Sequence, residues 1–339
     1  MSDNDSRWRI PSGRRVAPIV RLPGQPEMLS NALSLARQPW SLAAACAGVA
    51  GGSYLQPRGM RAAHREIIIA RTAWNVGGYF PYAAHNPAAA LAAFRAGGQQ
   101  AIQNGPTDSG WRPREAVLLR IVDELQRDFD LSRATRDTAA RYFTPRQIVN
   151  IAAQVGLYET VTMTFGSLGF IPLRSMWRLV RTGETAGIEC MTTEGRRDPR
   201  PVRTESGANP ERSVPGWALT DPELHATVTS VHPLIALLLP FFTRAAAWVS
   251  TLPASDAAAI MRQLDAHFGG APESGGFVSA RTELLRELVA ELHTGRFIED
   301  ETWGAAKKFF DDRELIDVCA LTGAYRAQYL MARAAAPGD

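Results

Sequence analysis

Residues 61–85 read RAAHREIIIARTAWNVGGYFPYAAH, and the reading of this stretch decides the fold. Apolar side chains at Met60, Ala63, Ile67, Ala70 and Trp74 recur at alternating spacings of three and four, which lays one stripe along a helix. The stripe is expected to be core. At Val76, Gly77 and Gly78 the chain turns, and a second helix follows. Glu66 lies off the stripe inside a run of isoleucines, so a carboxylate is carried into apolar surroundings where its charged form is costly. One reading is a glutamate at the edge of a buried face, salt-bridged to Arg65 or Arg71. The other is a functional carboxylate.

His85, beyond the turn, favours the second. Glu66 stands about ten residues, roughly 15 Å of helix, before the glycines, and His85 about seven residues, roughly 10 Å, after them. Two antiparallel helices would bring both to nearly the same height, the geometry an acid and base pair needs. His64 points to a different side of the helix from Glu66 and is expected at the surface.

Outward from the hairpin the chain reads as helix throughout, and the expected fold class is all-α. Upstream, Met28 to Leu35 and Pro39 to Ala47 are expected helices, the second opened by Pro39 and ended by Gly48. Downstream, AHNPAAALAAFRAGG continues the second helix to Gly97 and Gly98, and QQAIQNGPTDSG reads as a loop. Pro113 starts an amphipathic helix with Leu118, Val122, Leu125 and Phe129 on one face. Ser132 and Thr144 are expected N-caps of the next two helices, the latter supported by Pro145 at the first helical position.

REIIIARTAWN, the glycine turn, the aromatics after it and His85 resemble the carboxymuconolactone decarboxylase family, which includes the alkylhydroperoxidase D-like proteins. The resemblance continues through GWRPREAVLLRIVDEL at 110–125, DTAARYF at 137–143 and TPRQIVNIAAQVGLYETVTMTFGSLG at 144–169, and covers roughly residues 25–175. It implies a helical domain in which Glu66 and His85 are the catalytic residues. In the peroxidase branch a Cys-x-x-Cys pair lies between these two, and the matching positions here are Gly78 and Pro81. Val76 stands where many other relatives keep a single cysteine. Without a thiolate there is no nucleophile to reduce a peroxide, so redox activity is expected to be absent. Phe80 and Tyr82 match two pocket aromatics whose identities have changed, which implies a changed substrate.

The 339 residues suit two domains, and 45% hydrophobic with 21% charged residues is an ordinary globular composition. The net charge is only +3. Arg7, Arg9, Arg14, Arg15 and Arg21 concentrate positive charge in an N-terminal arm, residues 1–24, which reads as a solvated arm lying across a neighbouring subunit. Interleaved aromatics and nucleic-acid motifs are missing, so nucleic-acid binding is not expected. Residues 1–20 hold no apolar run suited to a signal peptide, and the most apolar stretch, LIALLLPFF at 234–242, is interrupted by Pro240 and far short of a membrane span. A cytoplasmic protein with no membrane contact is expected. Cys46, Cys190 and Cys319 are widely separated and odd in number, which fits reduced thiols, and Cys46 and Cys319 read as small core residues. Histidine spacing supports no metal site, and no cofactor is implied.

From 181 to 215 the sequence is rich in Gly, Pro, Ser, Thr and Arg and reads as a linker between two units, 25–180 and 216–339. An internal repeat spans it. VDEL at 122–125 aligns with VAEL at 289–292, an offset of 167 that also pairs Thr135 with Thr302, Phe143 with Phe310, Arg146 with Arg313, Gly156 with Gly323 and Tyr158 with Tyr325. The second unit reads as a degenerate tandem copy. Its nearest hairpin, 255–276, lacks counterparts of Glu66 and His85, with His267 near the turn. A fused copy supplies a face that single-unit relatives bury between subunits, and a homo-oligomer is expected.

Two functions follow. The first is a cofactor-independent enzyme, a lyase or isomerase, acting on a small oxygenated carbon skeleton by decarboxylation, isomerisation, lactone rearrangement or cyclisation. Glu66 would be its acid or base and His85 its partner. Tyr82 would orient substrate, with Phe80, Trp74, Asn75 and Tyr158 as further substrate-binding candidates, and a tailoring step in specialised metabolism is the expected setting. The second is a non-catalytic binding or scaffold protein. A peroxidase comes third, since it would have to assemble a redox pair from Cys46, Cys190 and Cys319.

Overall fold

The structure is a computed structural model that describes residues 8, 11–20, 27–40, 42–43, 60–170, 222–233, 249–268 and 279–336. The expected linker at 181–215, the apolar run at 234–242, Cys46 and Cys190 lie outside the described residues. The described residues form an all-α protein without strands. In chain order its helices are α1 (Glu27–Leu35), α2 (Ala62–Val76), α3 (Tyr79–Ala92), α4 (Gln99–Asn104), α5 (Pro113–Asp128), α6 (Arg133–Ala139) and α7 (Pro145–Ser167). From residue 222 onward come α8 (Pro222–Val231), α9 (Ala254–His267), α10 (Ala280–Gly295), α11 (Asp300–Ala306) and α12 (Asp312–Ala335).

The α2–α3 hairpin forms at the expected turn, and its two glycines do different work. Gly77 takes the left-handed conformation, φ 70°, that ends α2, a backbone state most side chains resist. At Gly78 a Cβ would lie 2.6 Å from Thr162 Oγ1, so the missing side chain is what lets the start of α3 close onto α7. The buried face of α2 is wider than the sequence stripe. Ile67, Ile68, Ile69, Ala70, Thr72 and Ala73 are all buried, whereas Ala63 is exposed and Trp74 half-buried.

Gln99–Asn104, expected as loop, is helix α4. Its orphan C-terminal carbonyls are met from a distance: Arg71 Nη1 on α2 donates to the carbonyls of Ile102 at 2.9 Å and Gln103 at 2.7 Å. A cap supplied by a remote side chain leaves no trace in the local pattern. Ser132 and Thr144 cap α6 and α7 as expected, and Thr144 forms a full capping box with Gln147.

The longest helices, α7 of 23 residues and α12 of 24, pack face to face at the centre of the molecule. Their backbones approach at two glycines. A Cβ on Gly156 would lie 2.5 Å from Ala327 Cα, and one on Gly323 would lie 2.5 Å from Thr160 Oγ1. Residue 156 meets 327 while 160 meets 323, so adding 167 to one partner and subtracting it from the other exchanges the two contacts. The helices therefore cross antiparallel about a local two-fold axis.

The same offset relates neighbouring helices. Adding 167 to the bounds of α5 and α6 yields those of α10 and α11. Phe129 and Arg296, which close α5 and α10, both have φ 58°. Glu124 accepts from Ser132 N at 2.8 Å and Thr135 Oγ1 at 2.6 Å. Glu291 repeats this clasp with Glu299 N at 2.9 Å and Thr302 Oγ1 at 2.7 Å.

The N-terminal segment departs from the solvated arm expected of it. Arg15 donates to Asp300 at 2.6 Å and to the carbonyls of Ser167 at 3.0 Å and Ile298 at 2.6 Å, and lies over the rings of Phe297 and Trp303. Arg14 donates to Asn31 at 2.8 Å, while Trp8 and Val16 are buried. Burial of these apolar neighbours holds the segment down as a strap joining the end of α7 to α11.

Candidate functional site

Glu66 and His85 meet across the hairpin. Glu66 Oε2 lies 2.9 Å from His85 Nδ1, and the side chains are 26% and 29% exposed. On the far side of the ring, His85 Nε2 lies 3.2 Å from the hydroxyl of Tyr158 on α7, with the two rings edge to face at 5.1 Å. A carboxylate only accepts, so with Glu66 ionised Nδ1 carries the proton and Nε2 accepts from the phenol. Three helices thus hold a carboxylate, an imidazole and a phenol in one hydrogen-bonded line. Glu66 is less enclosed than the isoleucine run suggested, because it faces His85 and solvent while Ile67, Ile68 and Ile69 fill the core.

Neither alternative partner of Glu66 is its ion pair. Arg71 turns away to bind Asp123 with both arms of its fork, at 2.7 and 2.8 Å, and Arg65 donates to the Met60 carbonyl at 3.0 Å. His64, expected at the surface, is buried against Phe143 with Nε2 3.6 Å from Glu115 Oε1. Burial, with Arg114 beside it, holds its pKa below the usual histidine value.

Of the other candidates, Tyr82 and Phe80 are drawn into the core, while Trp74 and Asn75 are half-buried and engaged with other side chains. Tyr82 is fully buried, its hydroxyl accepting from Gln99 at 2.8 Å and Gln103 at 3.0 Å and its ring against Trp8 and Trp74. Phe80 is buried edge-on to Phe165 at 4.9 Å. Asn75 donates to Asp123 at 2.8 Å and Gln126 at 2.9 Å. It follows Glu66 by about two and a half helical turns and so faces the opposite side of α2. Of the substrate-binding candidates, Tyr158 is the one joined to Glu66 and His85. Its place was not legible from local sequence, because it reaches the site from a helix more than seventy residues away.

The second half carries no matching pair on its described residues. His267 on α9 stacks on His293 at 4.5 Å, as Asn75 on α2 bonds Gln126, and 293 is 126 plus 167. Counting back nine residues from each puts Ala258 at the place of Glu66.

Cys319 is buried, and burial pushes its thiol up to about 12, leaving no thiolate at neutral pH. Among the described residues no group of three or more His, Cys, Asp or Glu side chains is placed to hold a metal ion, and no helix is long and apolar enough to cross a membrane. No family model and no curated protein matches the chain.

Proposed function

We propose that this protein is a cofactor-independent acid–base enzyme of the carboxymuconolactone decarboxylase type, a cytoplasmic homo-oligomer acting on a small oxygenated carbon skeleton. The observation that carries the reading is the line Glu66–His85–Tyr158, half-exposed and mounted on three packed helices. Glu66 orients the imidazole and stabilises it when protonated, and His85 Nε2 takes up or returns a proton through the Tyr158 hydroxyl. Tyr158 is the member that donates to or accepts from the substrate.

Such a relay serves reactions that pass through an enol or enolate. In a decarboxylation the bond to the carboxylate breaks, its electron pair enters the enolate, carbon dioxide leaves, and the relay protonates carbon. In an isomerisation one proton is removed and returned at another carbon. Fixed donors and acceptors stabilise both because they need no reorganisation as charge develops. The missing thiols at Gly78 and Pro81 and the buried Cys319 support acid–base over peroxide chemistry.

The test is the metabolite profile of the source strain with this gene deleted, then complemented by wild type, Glu66→Gln or Tyr158→Phe. A precursor heavier than the product by one carbon dioxide identifies a decarboxylase, and one of equal mass an isomerase or cyclase. Both variants should fail to restore the product. Full restoration by Glu66→Gln would reject the relay and select the binding or scaffold reading, which the absence of a carboxylate at Ala258 favours.

A further inference from the structure

Where α7 crosses α12, the local two-fold axis passes between Glu159 and Arg326, residues 167 apart and both without solvent exposure. Glu159 Oε2 accepts from Arg326 Nε at 3.2 Å and Nη2 at 3.0 Å. The groups around the pair obey the same offset with their chemistry changed. Gln126 on α5 donates to Glu159 at 3.3 Å, and its counterpart His293 on α10 accepts from Arg326 at 2.7 Å. Arg296 from the second half donates twice to Glu159 Oε1, at 3.1 and 3.0 Å, and its counterpart Phe129 from the first half lies 4.9 Å from the Arg326 guanidinium.

Shape alone would let each half pair with its own copy. In a contact of α7 with a second α7, Gly156 would meet Thr160, and a glycine in that place meets Thr160 already, since Gly323 does so. Charge decides otherwise. Pairing two first halves would bring two Glu159 carboxylates together on the axis, flanked by glutamine and phenylalanine and with no cation. Pairing two second halves would gather two copies each of Arg296 and Arg326 with no anion. Like charges shut away from water repel strongly, and each also loses its hydration.

We infer that the α7–α12 face is a heterotypic interface whose partner is chosen by Glu159 against Arg326 and Arg296, so that a first half accepts only a second half, in its own chain or in another copy. Tyr158 precedes Glu159 on α7, so the helix packed by this pairing is the one that carries the tyrosine to His85. Buried ion pairs give little net stability over apolar side chains of similar volume, while mismatched ones are severely penalised, which suits a device for choosing partners.

The experiment replaces all three charges at once in the full chain, as Glu159→Leu, Arg296→Leu and Arg326→Leu. Wild type and variant are refolded from urea over a range of concentrations. Folding is followed by circular dichroism, and mass by light scattering and native mass spectrometry. The variant is expected to keep the helical signal and a cooperative urea transition, while the single mass of wild type splits into a concentration-dependent series of larger species as like halves pair. A folded variant with the mass of wild type at every concentration overturns the proposal. So does a variant that fails to fold, because the charges would then supply stability and not choice.

Discussion

Lowering the pH from 7.5 to 5 should weaken the fold through His232, at the end of α8. The ring is fully buried, with Nε2 2.9 Å from Asn150 Oδ1. That oxygen only accepts, so Nε2 carries a proton, and burial disfavours adding a second one at Nδ1. Burial, with Arg146 nearby, lowers its pKa from 6.5 to about 4. The unfolded chain therefore binds a proton here that the folded chain refuses. His232 costs nothing above the unfolded value of about 6.5, and stability is lost as pH falls from there toward the folded value. With about 1.4 kcal/mol per pKa unit, the loss is about 2 kcal/mol by pH 5. His293 and His267 shift the same way, through burial and the neighbouring Arg326, and steepen the fall. Comparison with His232→Gln isolates the one residue, since an amide can keep the donor to Asn150 without titrating. Urea midpoints of both proteins at pH 7.5, 6.5, 5.5 and 5 make the measurement. The variant should lose about 2 kcal/mol less than wild type over this range, and equal losses would refute the reasoning.

Gly156→Ala should destabilise by about 1–3 kcal/mol, because the new Cβ strikes the Ala327 backbone and α7 must move off α12. Gly304→Ala, at an exposed position of α11 with nothing within 4 Å of the new Cβ, should instead gain about 0.5–1 kcal/mol of helix propensity. Thermal melts that rank the two variants equally would contradict the close helix approach. Arg15→Ala should release the N-terminal strap and cost about 1–3 kcal/mol, mainly by stranding the carbonyls of Ser167 and Ile298, since Asp300 is half exposed and its ion pair is screened. Limited proteolysis should then cut near residues 11–20 faster than in wild type, and an unchanged rate would show that other contacts hold the strap.

Much of the site's frame was legible because it depends on local rules. Glycines 77 and 78 end one helix and begin another wherever they occur, and the rise of a helix then brings Glu66 and His85 level. Ser132 and Thr144 cap for equally local reasons. The offset of 167 was legible because it is a property of the string, and the helix bounds repeat it.

What stayed hidden depends on which surfaces meet. Periodicity identifies a face that will be covered but not what covers it, so His64 was expected in water and lies under Phe143, while Tyr82 was expected at a substrate and lies under Trp8. Arg71 caps a helix thirty residues away, and no local pattern announces the helix that it caps. Glu159, Arg296 and Arg326 are ordinary charges in the sequence. They become a network at zero exposure only once α7 has crossed α12, because the energy of a charge is set by the dielectric and the partners around it, and these are tertiary facts. The sequence by itself determined an all-helical chain with a hairpin, a carboxylate and an imidazole level across it, and a repeat. The tertiary structure alone decided which of the candidate side chains reaches the pair, because Tyr158 meets His85 only once α7 has packed on the hairpin.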